Sequence, residues 1–321
     1  NYRESEAGDF DRAVEITQAA QPVERYVAVV EESDLRCMPL SAALLKEPAD
    51  PDFDRNNCAS LHAGEWLRVL ATHELDGTRW DYVHAGHSVG WLRDAKLTPS
   101  LPLEEARKLR DGPSYAVRRD ETRTSGGHSF RMGVSLPREG AGVLVPTLEG
   151  FVPDTLVDAQ ADADEPTTRR SLWAAAFSEL DSPYGWGGRA GERDCSRLLR
   201  DVFVPSGVQL ARHSAVQAKV GSQVIDVSQL DEVAKRARIE EAAAQGAVLL
   251  YMPGHIMLYL GEDGPQQYAI SSISEYLTPC EGGPDTVNRI DRVAVTTLAL
   301  GRDTKKRAFI ERITTLVVFG A

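Results

Sequence analysis

A change of hydrophobic pattern near residue 167 constrains the fold of this chain more than any other feature. Ahead of it, short apolar runs are broken repeatedly by Gly, Pro, Asp and Asn, the habit of small β units. Behind it, Leu172, Trp173, Ala176, Phe177 and Leu180 recur at helical spacing and predict a helix over residues 167–180. A second helix is expected from Cys195 to about Val204, stopped by Pro205 and Gly207, and a short third one over residues 214–221. Strand-length runs follow at residues 247–252, 255–261, 267–273 and 315–319. Helices ahead of an antiparallel sheet predict an α+β domain, and 321 residues leave room for two or three domains in all. No apolar run reaches the roughly 18 residues of a membrane-spanning helix.

The pattern divides the chain into five parts. Residues 1–27 read as an N-terminal helical arm, residues 28–100 as a first small β-barrel, 101–113 as a connector, 114–160 as a second β unit and 161–321 as the α+β domain. The acidic stretch 158–166 reads as a linker. In the first β unit, residues 64–70 (GEWLRVL) predict a strand entered from a turn, and residues 78–92 a hairpin carrying Trp80, Tyr82 and Trp91 as core. That order of glycine, strand, Trp-x-x-Val and Gly-Trp-Leu resembles a bacterial SH3-like domain, and residues 114–160 resemble a more divergent copy.

Composition narrows the function classes. Thirty-six basic against 48 acidic residues, a formal charge of −12, give no basic footprint for nucleic acid. The four cysteines, Cys37, Cys58, Cys195 and Cys280, include no C-x-x-C pair, and no metal or organic cofactor is expected. Cys37 and Cys58 fall within one small unit, where a disulfide or two separate thiols are equally compatible with the sequence. Cys280 lies in a turn-like stretch with no helix behind it, and His62, His73, His84, His87 and His128 have no metal-ligand spacing, so surface or turn positions are expected. A chain opening on Asn1 rather than Met is compatible with a removed signal peptide.

The chemistry concentrates in residues 184–203, YGWGGRAGERDCSRLLRDVF. A glycine-rich loop ends in Asp194, and Cys195 opens a helix whose apolar side carries Leu198, Leu199, Val202 and Phe203. A helix N-terminus lowers a thiol pKa, and its free N–H groups can hold an oxyanion. Gly187 and Gly188 are expected to leave room for a substrate backbone. A base must come from elsewhere, and His255, at the head of a strand after Pro253-Gly254, is the candidate.

Four motifs in this order, Tyr184 to Gly188, Asp194 to Ser196, Arg212 with Ser214 and Gln217, and Gly254 to Gly261, resemble the NlpC-type cell-wall cysteine peptidases, a papain-like group. The resemblance covers about residues 168–321, and SH3-like units stand ahead of the catalytic domain in a subset of that family. It implies a papain-like catalytic domain that hydrolyses the γ-D-glutamyl–diamino acid bond of peptidoglycan stem peptides in the periplasm or outside the cell. Cys195 would be the nucleophile and His255 the base. Tyr184 would lie near the oxyanion or substrate, Asp194 and Ser196 would line the cleft, and Arg212 and Ser214 would shape its far wall.

Two positions depart from the family's pattern. The third catalytic residue, often His, aligns with Ser271, with Gln267 as runner-up. His213 stands where some relatives carry an Asp that holds the free amine of an N-terminal L-Ala, so tolerance of blocked or glycan-attached peptides is expected. An acyltransferase or amidase using the same Cys–His pair, and a wall-binding module with a decayed centre, are the alternative readings.

Overall fold

The computed structural model describes residues 7–46, 50–157 and 168–320. The chain divides into two compact units. One takes the chain through residue 165 together with residues 185–192; the other takes residues 166–184 and 193–321.

The N-terminal unit opens with α1 (Ala7–Ala19), followed by β1 (Gln21–Ala28), β2 (Ser33–Arg36), β3 (Asn57–Leu61), β4 (Trp66–Leu75), β5 (Thr78–His84) and β6 (Val89–Arg93). These strands form one sheet in the order β1-β4-β5-β6-β2-β3. Its core holds Val27, Leu35, Leu61, Val69, Val83 and Leu92. Trp80 and Trp91 are buried against Ile16 of α1, a helix that also buries Ala13. After α2 (Leu103–Asp111) come β7 (Ser114–Ala116), β8 (Thr122–Arg123), β9 (Ser129–Phe130), β10 (Ser135–Glu139), β11 (Gly142–Thr147) and β12 (Gly150–Asp154). They make a four-stranded sheet, β12-β11-β10-β7, and a two-stranded ribbon. Trp66 stacks on Phe151 at 5.0 Å between ring centroids, joining the two sheets.

The N-terminal region is therefore β-rich, but the two closed barrels expected from the sequence are not found: among the described residues no ladder joins β1 to β3. Strand β1 also begins at Gln21, inside the stretch read as an arm. The linker expected at residues 158–166 lies outside the described residues. Cys37 and Cys58 form a disulfide, with Cα atoms 5.2 Å apart. The side chains of His62 and His87 are buried rather than superficial, 3.4 Å from Glu32 and 3.6 Å from Glu65.

The C-terminal unit consists of α3 (Arg169–Ser178), α4 (Cys195–Phe203), α5 (Ser214–Gln217), β13 (Gln223–Asp226), α6 (Glu232–Ala243), β14 (Ala247–Met252), β15 (His255–Asp263), β16 (Gln266–Thr278), β17 (Thr286–Thr297), α7 (Phe309–Arg312) and β18 (Thr315–Phe319). The sheet runs β13-β18-β14-β15-β16-β17, and its ladders are antiparallel. Alternation along each strand assigns side chains to two faces. Val248, Leu250, Met257, Tyr259, Leu316 and Val318 pack with Ile239 and Ala242 of α6 and with Phe309 and Ile310 of α7. Helix α4 packs on β15 and β16, with Leu198, Leu199, Val202 and Phe203 all buried.

Local signals explain most of these boundaries. Thr168 caps α3, with Ser171 completing a reciprocal capping box. Phe177 and Leu180 share the helical spacing but remain exposed, so the stripe read from the sequence is narrower than it looks. Helix α5 covers only Ser214–Gln217, shorter than expected. Helix α6, capped by Asp231, and strands β13 and β17 had no clear sequence signal. The amphipathic contrast of α6 is weak, because Lys235 is buried on its inner side, where its ammonium donates to the carbonyls of Glu311 and Ile313.

Candidate active site

Asp194 is the N-cap of α4. Its carboxylate accepts the backbone N–H of Arg197 at 2.9 Å, which starts the helix and makes Cys195 its first residue. Gly207, with φ near 75°, closes the short turn of 3-10 helix that follows Phe203. The nucleophile candidate is thus fixed by a cap on one side and a stop on the other.

The carboxylate of Asp194 is itself held. Arg212 donates to both of its oxygens at 3.0 and 2.6 Å, and the hydroxyl of Ser196 donates to it at 3.0 Å. Arg212 also donates to Ser196 at 2.9 Å. Burial works against the charge on Asp194, but Arg212 and the Arg197 N–H outweigh it and keep the carboxyl ionised. Gln217, fully buried, donates to the carbonyls of Ser196 and Ala211 at 2.8 and 2.7 Å. The resemblance implied that Asp194 and Ser196 line the cleft and that Arg212 shapes its far wall. All three are buried, in a network that fixes the start of α4.

A second buried network sits one turn further on. Asp201 receives Arg193 and Arg197 at 2.9 Å and Arg200 at 3.1 Å, and Glu179 receives Arg193 at 2.7 Å. The carbonyl of Arg193 accepts the hydroxyl of Ser272 on β16 at 2.6 Å. Arg197, Arg200 and Asp201 belong to α4, and sequence patterning gives no sign that they are covered.

His255 opens β15, paired with Met252. Its Nε2 lies 3.1 Å from the hydroxyl of Ser271 on β16. Ser271 shares its face with Ala269 and Ile273, by alternation along the strand. Gln267 is not at the histidine: its amide donates to Glu240 at 2.7 Å and to the carbonyl of Arg236. The Cys195 thiol accepts the backbone N–H of Ile256, the residue after His255, and that of Ser196. That contact brings the head of α4 to the head of β15.

The electrostatics differ from the sequence expectation. Burial, and then the charge of Asp194, push the Cys195 thiol up to about 12, despite its place at a helix N-terminus. Burial, and then the guanidinium of Arg312, push the His255 imidazole down to about 4, with Asp194 opposing. Around neutral pH the thiol and the imidazole are therefore both uncharged. The ring of Phe309 on α7 lies 5.7 Å from the imidazole ring. Neither Phe309 nor Arg312 was singled out in the sequence, since a four-residue helix leaves no periodic signal.

Tyr184 is half-buried; its backbone N–H donates to Asp291 at 2.9 Å and it bridges to Arg193. His213 is exposed and precedes α5, and Ser214 begins that helix. Between Tyr184 and Arg193, residues 185–192 belong to the N-terminal unit. Trp186 meets Phe53 edge-on at 5.4 Å and lies under the Arg55 guanidinium at 4.2 Å. Gly187 and Gly188 have φ of 67° and 89°, and a Cβ on them would come 2.8 Å from the Asn57 carbonyl and 3.1 Å from Ser60. Their small size serves a close approach to β3 rather than room for a substrate backbone.

The model of the NlpC/P60 family matches residues 181–274. Residues 181–274 are an NlpC/P60 domain. The match spans the Tyr184 loop, Cys195, the Arg212 motif, His255 and Ser271. Two solved structures resemble the chain. An NlpC/P60 endopeptidase from Photobacterium damselae subsp. piscicida has a TM-score of 0.78 at 14% identity over 98% of this chain and 79% of that one. An NlpC/P60 family protein from Bacillus cereus has a TM-score of 0.57 at 15% identity over 92% of this chain and 99% of that one. At such identities the likeness is one of fold. No curated protein matches the chain. The NlpC/P60 domain thus contains every residue of the proposed catalytic centre, and α7 with Phe309 and Arg312 lies beyond the matched segment.

Proposed function

We propose that this protein is a cell-wall cysteine endopeptidase that hydrolyses the γ-D-glutamyl–diamino acid bond of peptidoglycan stem peptides. The observation that carries the reading is the joining of Cys195 and His255 through the thiol's contact with the Ile256 N–H, with Ser271 behind the imidazole. In this reading Nε2 carries the ring proton toward Ser271, and Nδ1 is left as the base. The sulfur attacks the γ-carbonyl carbon as the thiol proton passes to Nδ1. That proton then goes to the leaving amine as the C–N bond breaks. Water, deprotonated by the same nitrogen, hydrolyses the thioester. N–H groups in the first turn of α4 would stabilise the oxyanion.

Ser271 would orient the imidazole, and Tyr184, His213 and Ser214 would meet the substrate. Asp194, Ser196 and Arg212 would act through the position of Cys195. His213 offers no carboxylate to a free amine, which supports acceptance of blocked stem peptides. The Cys37–Cys58 disulfide suits an oxidising compartment, in keeping with a periplasmic or extracellular site. No helix among the described residues is long and apolar enough to cross a membrane.

The test is digestion of a purified L-Ala-γ-D-Glu-diaminopimelate peptide by wild type and Cys195→Ala, read by mass spectrometry. Release of free diaminopimelate by wild type alone is expected, with water added to the dipeptide. Equal cleavage by the variant would refute the nucleophile. A product carrying a new acyl acceptor would make the enzyme a transferase.

A further inference from the structure

Arg312 is a cation in an unusual position. Its guanidinium carbon lies 5.7 Å from the centroid of the Phe309 ring, and that ring lies 5.7 Å from the imidazole of His255. It is half-buried, yet among the described residues it has neither an ion pair nor a hydrogen-bonded acceptor. The other buried or half-buried arginines of the C-terminal unit are matched: Arg193, Arg197 and Arg200 by Asp201, Arg212 by Asp194, Arg236 by Glu232 and Arg238 by Glu241. Its neighbour Glu311 is engaged by the N–H of Ala308, and the charge that acts on it is the like charge of Arg307. Burial and Arg307 both lower the pKa of Arg312, so its surroundings disfavour the charge it carries. Stacking on Phe309 returns only part of that cost. A partly desolvated guanidinium that lacks an anion is a site for one, because its planar fork of donors matches a carboxylate.

The geometry points to Arg312 as the receptor for a carboxylate on the leaving-side residue of the substrate. This rests on the peptidase reading of Cys195 and His255. His255 must protonate the leaving amine, so a group one ring beyond His255 lies on the leaving side of the scissile bond. Diaminopimelate and lysine differ there by one carboxylate at the end of the side chain. That carboxylate sits roughly 6 Å from the Cα, some five bonds of about 1.5 Å. Arg312 would therefore select diaminopimelate over lysine. The same contact would assist the base. The groups that bear on the imidazole are Arg312 from α7, Asp194 at the head of α4, and Ser271 from β16. A substrate anion that neutralised Arg312 would raise the basicity of His255 as the complex forms.

The experiment compares kcat/KM for L-Ala-γ-D-Glu-meso-diaminopimelate and L-Ala-γ-D-Glu-L-Lys, with wild type, Arg312→Met and Arg312→Lys. A charge-assisted pair of this kind predicts a wild-type preference of about 10- to 100-fold for diaminopimelate. Arg312→Met should bring the ratio to about one, and Arg312→Lys should restore part of it. The acid limb of kcat/KM on the lysine peptide should move to higher pH in Arg312→Met, a readout that a purely packing role would not move. A wild-type ratio near one, or an unchanged ratio in Arg312→Met, overturns the inference; the wild-type ratio decides even where the variant fails to fold. Loss of all preference on amidating the glutamate α-carboxylate instead would assign Arg312 to the other side of the bond and overturn it too. If wild type cleaves neither peptide, the peptidase reading itself fails.

Discussion

Holding His255 uncharged makes the stability of the protein depend on acid in a calculable way. In an unfolded chain the imidazole titrates near 6.5, whereas burial and Arg312 bring it to about 4 in the folded protein. The folded pKa is depressed, so this contribution to stability is complete above about 6.5 and is lost as the pH falls toward 4. Across that window the unfolded state holds the extra proton, and stability falls by about 1.36 kcal/mol per pH unit. The full loss is about 3 kcal/mol, a large part of the roughly 5–15 kcal/mol that holds a domain folded. His255→Gln removes the titrating group and leaves the carboxylates in place, so the difference between the two proteins isolates it. Urea unfolding followed by circular dichroism at a series of pH values between about 7.5 and 4 is the assay. With a urea dependence of about 3 kcal/mol/M, the wild-type midpoint should fall about 1 M further than that of the variant. Parallel curves for the two proteins would refute the claim that the fold keeps this imidazole neutral. A wild-type curve that gained stability in acid would mean that the imidazole is held charged instead.

Two further outcomes follow from buried contacts. Asp201→Ala removes the carboxylate that three buried guanidinium groups share and should destabilise the C-terminal unit by about 3–5 kcal/mol, measured by the shift in its urea midpoint; a change under about 1 kcal/mol would show that the arginines are held by their other surroundings. Gly187→Ala places a methyl 2.8 Å from the Asn57 carbonyl at a φ of 67° and should cost about 1–3 kcal/mol, whereas Gly254→Ala, with open space at its Cβ, should show only the strain of its own positive φ. Equal losses at the two glycines, by thermal melting, would mean that the approach to β3 has no weight.

Several element boundaries were legible in the sequence, because they rest on local rules. Asp194 before Cys195, Pro205 and Gly207 after the helix, and the strands 247–252 and 315–319 are signals carried by a few adjacent residues. Ser271 was reached through the resemblance, by alignment to the family's pattern, and its hydroxyl lies 3.1 Å from Nε2 of His255. Tertiary structure alone decided what surrounds those residues. It raised the thiol that a helix N-terminus would lower, because burial and the Asp194 charge act through space and outweigh the helix. It enclosed Arg197, Arg200 and Asp201, charged residues whose burial no local pattern signals. It turned Gly187 and Gly188 toward β3, some 130 residues earlier in the chain, and set Phe309 and Arg312 beside a histidine more than 50 residues away. Desolvation and the Coulomb field depend on distance in space and on the medium between charges, neither of which is written in the neighbourhood of any one residue along the chain.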